Sequence, residues 1–505
     1  MRNETIKKTS AIKVFLRCGI AALWLGLTLT TGALAQTETP PPPAEPRTAI
    51  VPTPIEKTLP NGLRVIVVER KSVPLVTAQI MIKSGGEVDP QGLAGAADMT
   101  AELLIKGTKI RTASQIAEEI EFLGGSINSG AAWDFSSVTF RVMADKFDKA
   151  MAVAADTVLN PTFAQTEIDR YKAQTLDELS VNLKQPSVLA NYVSNIAVFG
   201  DQTYGHPLGG TPESLAKIQR ADLVKIHSSY YQPNNAILII AGDIAPATAF
   251  TVAQKYLGSW TKTGSIATQS SLVKSGTEKN ADKLTIDKIT VVDLPASGQA
   301  AVSIAKYGIV RSDPNYFPIT VVNSILGGGY SARLNQEIRI KRGLSYGAGS
   351  GLFARRLGGI FTTRAQTKNE SAAEVAEIMV NELNRLASES VGETELVPRK
   401  AVLIGSFSRD LETTEGLVSQ IGQLALYELP LTQINSYIQD VQTVKSSAIQ
   451  NFVKDFYGRT NAQIVIVGDA SKFMSDLQKR FPAAKIETVP AAQLDLNSAK
   501  LRKTK

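Results

Sequence analysis

Hydrophobic residues recur along this chain at two spacings, one typical of β-strands and one typical of helices. Asn61-Gly62 is a hairpin turn signal, and the apolar runs at 63–68 and 76–82 that follow it predict strands. Alternation predicts another strand at 138–142, and capping residues with apolar positions at helical spacing predict helices at 112–124, 147–158 and 167–183 and after Thr211. This order of elements predicts an α+β domain, an antiparallel sheet with helices on one side.

The chain also repeats itself. The segment YQPNNAILIIAGD at 231–243 returns without gaps as YGRTNAQIVIVGD at 457–469. Both copies follow an amphipathic helix and close a β-rich run, and each half begins with a hairpin, so we predict two homologous domains at 55–262 and 286–490. A polar linker is expected at 263–285, and the basic, polar residues at 491–505 predict a tail without fixed structure.

The first 35 residues have the pattern of a targeting segment. Basic residues precede an apolar run at 20–29, and Ala33-Leu34-Ala35 is a small-x-small cleavage site, which predicts a signal peptide at 1–35. The run is short for a membrane span, so no stable span is expected after cleavage. The proline-rich stretch 36–54 predicts an extended tether. We therefore expect a secreted, periplasmic protein.

Removal of this segment changes the charge and the cysteine count. The chain carries a net charge of +7, but residues 1–35 hold five basic groups and one acidic group, so +3 remains without them. A charge this small does not indicate nucleic-acid binding. Cys18 is the one cysteine and leaves with the signal peptide, so the mature chain is expected to be stabilised by core burial rather than by disulfides.

Turn, helix, charge and aromatic signals combine in one stretch, 326–350, with the sequence LGGGYSARLNQEIRIKRGLSYGAGS. A turn at Gly327, Gly328 and Gly329 is expected to lead into a short helix capped by Ser331. The apolar side of this helix carries Leu334 and Ile338, and its ion-paired face carries Arg333, Glu337 and Lys341. Gly343 predicts the end of the helix, and Leu344, Tyr346 and Ala348 then alternate as in a strand. Arg339, in the last helical turn, and Tyr346, just beyond the reversal, are therefore expected to converge.

This layout resembles the arginine/tyrosine stretch of the pitrilysin/insulinase-like zinc metallopeptidases, the inverzincins. The family order is a glycine-rich turn, a helix and then G-L-x-Y, with arginine and tyrosine seven positions apart, as Arg339 and Tyr346 are here. The resemblance implies that the two side chains hold a substrate carbonyl beside a zinc ion carried elsewhere, since both are fixed hydrogen-bond donors. A structural role, with Arg339 a surface cation and Tyr346 a strand aromatic, is the alternative.

The segment GAADMTAELLIKGT at 95–108 resembles the family's zinc helix, but its chemistry differs. Aligned on Lys106-Gly107-Thr108, Asp98 takes the position of the first histidine, Ala101 that of the catalytic glutamate and Glu102 that of the second histidine. Such a site needs two imidazoles one turn apart with a carboxylate base between them. The sequence holds only two histidines, His206 and His227, so H-x-x-E-H is absent, and we expect no zinc in this chain.

Other residues bear on metal binding. Glu178 matches the family's downstream glutamate ligand, which leaves open a site made of Asp98, Glu102 and Glu178 alone, although carboxylates at this spacing are more often a solvated face. His206 and His227 lie far apart in the sequence, and each is predicted to be structural.

The resemblance as a whole implies half of a clamshell, formed by two homologous domains. It implies a non-catalytic subunit that forms a heterodimer with a zinc-bearing homologous chain and supplies Arg339, Tyr346 and the turn Gly327–Gly329 to a shared site for an extended peptide. Zinc and the attacking water would belong to the partner. A structural or peptide-binding scaffold and an autonomous metallopeptidase with a carboxylate-only site are the alternatives.

Overall fold

The computed structural model of this chain describes residues 50–262, 264–266 and 281–503. The predicted signal peptide, most of the predicted tether and most of the predicted linker lie outside the described residues. Among the described residues, no helix has both the length and the apolarity needed to cross a membrane.

The N-terminal half forms a six-stranded sheet in the order β1-β2-β6-β3-β5-β4. Its strands are β1 (Ile55–Thr58), β2 (Arg64–Glu69), β3 (Leu75–Ile82), β4 (Ser126–Ala131), β5 (Ser136–Met143) and β6 (Ala236–Gly242). Its helices are α1 (Ala96–Glu102), α2 (Ala113–Phe122), α3 (Phe147–Leu159), α4 (Gln165–Asn182), α5 (Pro186–Phe199), α6 (Pro212–Lys217), α7 (Arg220–Tyr230) and α8 (Pro246–Leu257). Short 3₁₀ helices lie at Gly86–Val88, Leu103–Lys106, Ala144–Lys146 and Pro233–Asn235.

The C-terminal half forms a second six-stranded sheet in the order β12-β7-β11-β8-β10-β9. Its strands are β7 (Ile286–Asp293), β8 (Ala300–Tyr307), β9 (Ser345–Phe353), β10 (Ile360–Thr367), β11 (Ala462–Gly468) and β12 (Lys485–Pro490). Its helices are α9 (Tyr316–Gly327), α10 (Arg333–Asn335), α11 (Ala372–Ser388), α12 (Glu393–Asp410), α13 (Thr414–Leu426), α14 (Gln433–Thr443), α15 (Ser446–Arg459) and α16 (Met474–Arg480). A π-helical turn at Gln336–Ile340 continues α10, and 3₁₀ helices lie at Asn369–Ser371, Ala470–Lys472 and Ala491–Gln493.

The two copies of the sequence repeat occupy equivalent places in the two sheets. They contain β6 and β11, each of which is parallel to one neighbour (β2 or β7) and antiparallel to the other (β3 or β8). The prediction of two homologous domains is therefore confirmed. The sheets are mixed rather than wholly antiparallel, because β6 runs parallel to β2 and β11 runs parallel to β7, and β12 also runs parallel to β7.

The two halves exchange one helix each, so that helices lie on both sides of each sheet. Helix α13 of the C-terminal half packs on β3 and β6, and helix α5 of the N-terminal half packs on β8 and β11. Buried hydroxyl pairs mark both contacts, Thr77 with Thr414 at 2.7 Å and Ser194 with Ser303 at 3.0 Å. The expectation of helices on one side was incomplete, because the central strands β6 and β11 are almost entirely apolar and buried, so both of their faces must be covered.

A buried polar network around Asp134 also joins the halves. Asp134 lies between β4 and β5 and is 2% exposed. Its carboxylate accepts hydrogen bonds from the hydroxyl groups of Tyr204 and Tyr427 and from the backbone N–H of Arg356 at 2.9 Å. Arg356 belongs to the β9–β10 connection and also donates to the backbone oxygens of Lys83 at 3.0 Å and Asp134 at 2.9 Å. The C-terminal half therefore inserts a loop into the N-terminal half.

The end of the chain differs from the prediction of an unstructured tail over the residues that are described. Leu496 and Leu501 are buried against helix α5 and the strands that it covers. Asn497 accepts a hydrogen bond from Thr211 at 2.9 Å, and Asp201 accepts one from the backbone of Ala499 at 2.8 Å. The prediction failed because it was based on the basic composition of the segment, whereas Leu496 and Leu501 pack at the contact between the two halves.

Candidate functional site

The turn Gly327–Gly329 ends helix α9 and brings the following segment against the edge strand β9. A Cβ atom at Gly327 would overlap the backbone of Ser350 in that strand, so glycine is required for the close approach. Gly343 has φ +63 and donates to the backbone oxygen of Arg339 at 2.9 Å, which ends the π-helical turn. The chain then enters β9 at Ser345, as the alternation predicted.

Arg339 and Tyr346 converge in the structure. The guanidinium carbon of Arg339 lies 4.8 Å from the ring centre of Tyr346 and 5.1 Å from that of Tyr330. Two aromatic rings therefore hold the cation by cation–π attraction. Tyr346 is 90% exposed, and no carboxylate among the described residues forms an ion pair with Arg339. The hydrogen-bond donors of both residues are accordingly available at the surface.

The surrounding segment departs from the prediction in two contacts. Ser331 does not cap the helix, since α10 begins after Ala332, and its hydroxyl instead accepts a hydrogen bond from Arg399 at 2.7 Å. Glu337 pairs with Lys341 and Arg342, whereas Arg333 forms a bidentate pair with Glu395 of α12 at 2.7 and 2.8 Å. These long-range contacts fix the helix that carries Arg339.

The position of the zinc helix is taken by α1, beside the edge strand β4 of the other sheet. Asp89 caps α1 by accepting from the backbone N–H groups of Gly95 and Ala97, each at 2.7 Å. Asp98 accepts a hydrogen bond from the hydroxyl of Tyr171 on α4 at 3.1 Å, and Ala101 is fully buried. The carboxyl group of Glu102 lies against Gly130 of β4.

Burial changes the acidity of both carboxyl groups on α1. It raises the pKa of Asp98, which hydrogen bonds from Tyr171 and from the backbone of Ala131 only partly offset. Burial, together with the neighbouring Asp98 carboxylate, raises the pKa of Glu102 to about 7. Near neutral pH this pair therefore tends to keep a proton rather than two negative charges.

The Glu102→Gln substitution is expected to stabilise the protein at pH 8 and to have little effect at pH 5. Folding raises the pKa of Glu102 from 4.5 to about 7, so its stabilising contribution is present below pH 4.5 and is lost as the pH rises through 7. Glutamine resembles the protonated form, and we expect a gain of about 1–2 kcal/mol at pH 8, because water partly screens this half-buried group. Urea denaturation at the two pH values measures the effect. Glu118→Gln, at an exposed position of α2, is the control, and equal gains at both pH values would contradict the assignment.

These residues do not fit a zinc ion. Ala101 has no ligand atom, Asp98 is engaged by Tyr171, and Glu178 is exposed on α4. Among the described residues, no group of three His, Cys, Asp or Glu side chains is placed to hold a metal ion. The donor set at this position therefore does not support the alternative of a carboxylate-only site.

Both histidines have structural surroundings. His206 lies against the ring of Trp133, with the ring centres 5.1 Å apart. His227 contacts the backbone oxygen of Val158 at 2.8 Å and stacks on Tyr231 at 4.8 Å. Burial lowers the pKa of both imidazoles, so both are neutral near pH 7.

Two residues at these sites were not predicted from the sequence. Tyr171 precedes Glu178 by seven residues, or two helical turns, so it projects from nearly the same face of α4, and this spacing could have identified it. Tyr330 follows the glycine turn directly, and an aromatic residue at that position could have suggested a role for it. The structure shows that it is exposed. The structure places Arg339 and Tyr346 at β9 and Asp98 and Glu102 at β4, and no contact between these two sets is found among the described residues.

Comparisons with known proteins agree with this architecture. Residues 64–211 match the family model described as insulinase (peptidase family M16), and residues 217–403 match that described as the peptidase M16 inactive domain. The two matches follow one another along the chain: the first lies within the N-terminal half, and the second runs from the last part of that half into the C-terminal half.

Relatives and solved structures extend the similarity over most of the chain. The uncharacterized zinc protease YmxG of Bacillus subtilis is 24% identical over 412 residues, which is 81% of this chain and 97% of YmxG. An uncharacterized zinc protease of Rickettsia bellii is 29% identical over 338 residues, 67% of this chain and 79% of that protein. A peptidase M16 inactive domain from Pseudomonas fluorescens superposes with a TM-score of 0.75 at 25% identity, covering 82% of this chain and 98% of that one. A protease from Helicobacter pylori, at 21% identity and a TM-score of 0.76, shares the fold over 83% of this chain and 100% of that one.

The resemblance predicted from the arginine/tyrosine stretch and the altered zinc helix is thus confirmed, as is the clamshell-type fold with two homologous domains. The relatives are named as zinc proteases, whereas this sequence lacks H-x-x-E-H. The chain belongs to the insulinase-like peptidases, peptidase family M16, as a member that resembles the inactive type.

Proposed function

We propose that this chain is the non-catalytic subunit of a two-chain zinc metalloendopeptidase. A homologous chain with an intact H-x-x-E-H motif would supply the zinc ion and the attacking water, and this chain would supply Arg339 and Tyr346. The observation that carries the proposal is the Arg339 guanidinium, held between Tyr330 and Tyr346 at an exposed sheet edge with no ion-pair partner among the described residues.

The chemistry of these side chains suits a peptide carbonyl. As water adds to the carbonyl carbon, negative charge develops on the oxygen, and a guanidinium and a phenol can both donate hydrogen bonds to it. The two rings restrict Arg339 before substrate arrives, which reduces the entropy lost on binding. This chain would therefore orient and polarise the bond that its partner cleaves.

The surface around Arg339 supports association with another chain. Tyr330, Ile340 and Tyr346 are 64%, 44% and 90% exposed and lie within one short segment. Exposed aromatic and aliphatic residues gathered in this way are typical of interaction surfaces. A homologous zinc-bearing chain would cover them and exclude bulk solvent from the site.

The expected substrate is a peptide in extended conformation. Among the described strands, the edge strand β9 pairs with β10 alone, so its other side can form backbone hydrogen bonds with a peptide. Its sequence, SYGAGSGLF, places three glycines at alternate positions, which lets a peptide backbone approach closely. Recognition through the backbone would tolerate varied side chains.

The test is a reconstitution with a zinc-bearing relative encoded beside this chain. We expect each protein alone to leave a quenched-fluorescence peptide intact and the mixture to cleave it, with cleavage lost on chelation of zinc. Binding of the peptide without any increase in cleavage would favour a scaffold role instead. Cleavage by this chain alone, with bound zinc, would contradict the proposal.

A periplasmic location is part of the proposal and has a separate test. The predicted cleavage after Ala35 would give a mature chain that starts near Gln36. We expect N-terminal sequencing of the protein from a periplasmic extract to begin there. An intact Met1 on the exported protein would contradict the prediction.

A further inference from the structure

A cavity of about 670 Å³ opens where the exchanged helix α5 crosses the C-terminal sheet. One wall is the N-terminal part of α5, and the other is formed by β8, β9 and β10. Both halves of the chain therefore build it, and it lies outside the contacts of Arg339 and Tyr346 described above. Gly347 and Gly349 of β9 are among its lining residues, and Gly347 directly follows Tyr346.

The charge of the cavity is positive. Arg364 of β10 is exposed within it, and no Asp or Glu is among its lining residues. In the described parts of the chain, Arg364 forms no ion pair with a carboxylate. The surrounding polar groups include Ser187, Asn191 and Tyr192 of α5, each of which can donate a hydrogen bond. Ser187 lies in the first turn of α5, where the backbone N–H groups add partial positive charge.

The other half of the molecule provides an internal comparison. Arg141 of β5 lies opposite Thr77, which contacts the exchanged helix α13, just as Arg364 lies opposite Ser303, which contacts the exchanged helix α5. Helix α13 supplies Glu415, which forms an ion pair with Arg141. Helix α5 supplies neutral residues at the cavity wall, so Arg364 keeps its positive charge for another partner.

We propose that this cavity is a subsite for a carboxylate of the bound peptide, recognised by the guanidinium of Arg364. The inference rests on the proposed function, since a peptide paired with β9 would pass Gly347 and Gly349, which line the cavity. Arginine binds a carboxylate through two parallel hydrogen bonds, which makes it a specific reader of that group. The substrates of the complex would then be peptides that carry an acidic residue, or a free C-terminus, beyond the cleaved bond.

The test measures peptide binding by the isolated full chain at low salt. The probe is a short alanine/serine peptide that contains one glutamate, is blocked at both ends and carries a neutral fluorophore. The comparison peptide has glutamine in place of that glutamate. We expect the glutamate peptide to bind roughly tenfold more tightly by fluorescence anisotropy, in line with a charge-assisted hydrogen bond. Arg364→Gln is expected to abolish this difference, and Arg141→Gln, the matched control, is expected to preserve it.

A third peptide, with glutamine and a free C-terminal carboxylate, distinguishes the two sources of the charge. If Arg364→Gln weakened the binding of this peptide alone, the cavity would bind the C-terminal carboxylate of a peptide rather than an acidic side chain. Equal binding of all peptides, no binding at all, or a preference that survives Arg364→Gln would overturn the subsite. If the preference for glutamate depends on Arg364 but cleavage in the reconstituted complex does not depend on Arg339, the proposed function fails and the subsite stands. If cleavage depends on Arg339 but no preference depends on Arg364, only the subsite fails.

Discussion

Substitution of Asp134 by alanine is expected to lower the free energy of unfolding by about 3–5 kcal/mol. The side chain is 2% exposed and accepts hydrogen bonds from Tyr204, Tyr427 and the backbone of Arg356. Its removal leaves these buried donors without an acceptor and leaves a cavity beside Arg356. Because its partners come from both halves, we expect the loss to appear in the unfolding of the whole chain. Urea denaturation followed by tryptophan fluorescence, with Trp133 next to the network, measures it.

The matched control is Asp145→Ala. Asp145 lies in the 3₁₀ helix that follows β5 in the same half, its side chain is 67% exposed, and its ion-pair partner within the described residues is Lys146. An exposed pair of this kind contributes little, so we expect a change below about 1 kcal/mol. Similar losses for the two variants would mean that the network around Asp134 does not hold the halves together.

The sequence was most informative where residues make local contacts. The hairpin at Asn61-Gly62, the capping box at Thr112 and the reversal at Gly343 are each set by a few neighbouring residues, and each was predicted. The repeat at 231–243 and 457–469 also identified two domains, because its two strands occupy equivalent positions in the sheets.

Long-range packing was not accessible in the same way. Helices α5 and α13 are apolar around much of their surface, which indicates burial, but nothing in the sequence specifies the opposite sheet as their partner. Asp134 is likewise one acidic residue in a loop, and its importance depends on Tyr204 and Tyr427, which are distant in sequence.

The candidate site divides along the same line. The convergence of Arg339 and Tyr346 depends on the eight residues 339–346, so the local spacing and the reversal at Gly343 were enough to predict it. The engagement of Asp98 by Tyr171 depends on α4 packing against α1, which spacing alone did not predict. The sequence motif therefore predicted where the hydrogen-bond donors Arg339 and Tyr346 lie. Only the fold showed that Asp98, at the position of the family's first zinc ligand, accepts a hydrogen bond from the hydroxyl of Tyr171.

In the reconstituted peptidase, Arg339→Ala is expected to reduce kcat by about 10²–10³-fold, the effect typical of losing one donor to a developing oxyanion. Tyr346→Phe, which keeps the ring that packs against Arg339 and removes only the hydroxyl, is expected to reduce kcat by about tenfold. KM is expected to change less than kcat, because the donors act more strongly on the transition state than on the bound peptide. Arg342→Ala is the control, since Arg342 lies three residues from Arg339 but pairs with Glu337. If Arg339→Ala and Arg342→Ala gave equal activity, or if Arg339→Ala raised KM alone, Arg339 would be a binding or surface residue and the role assigned to this edge of the sheet would be wrong.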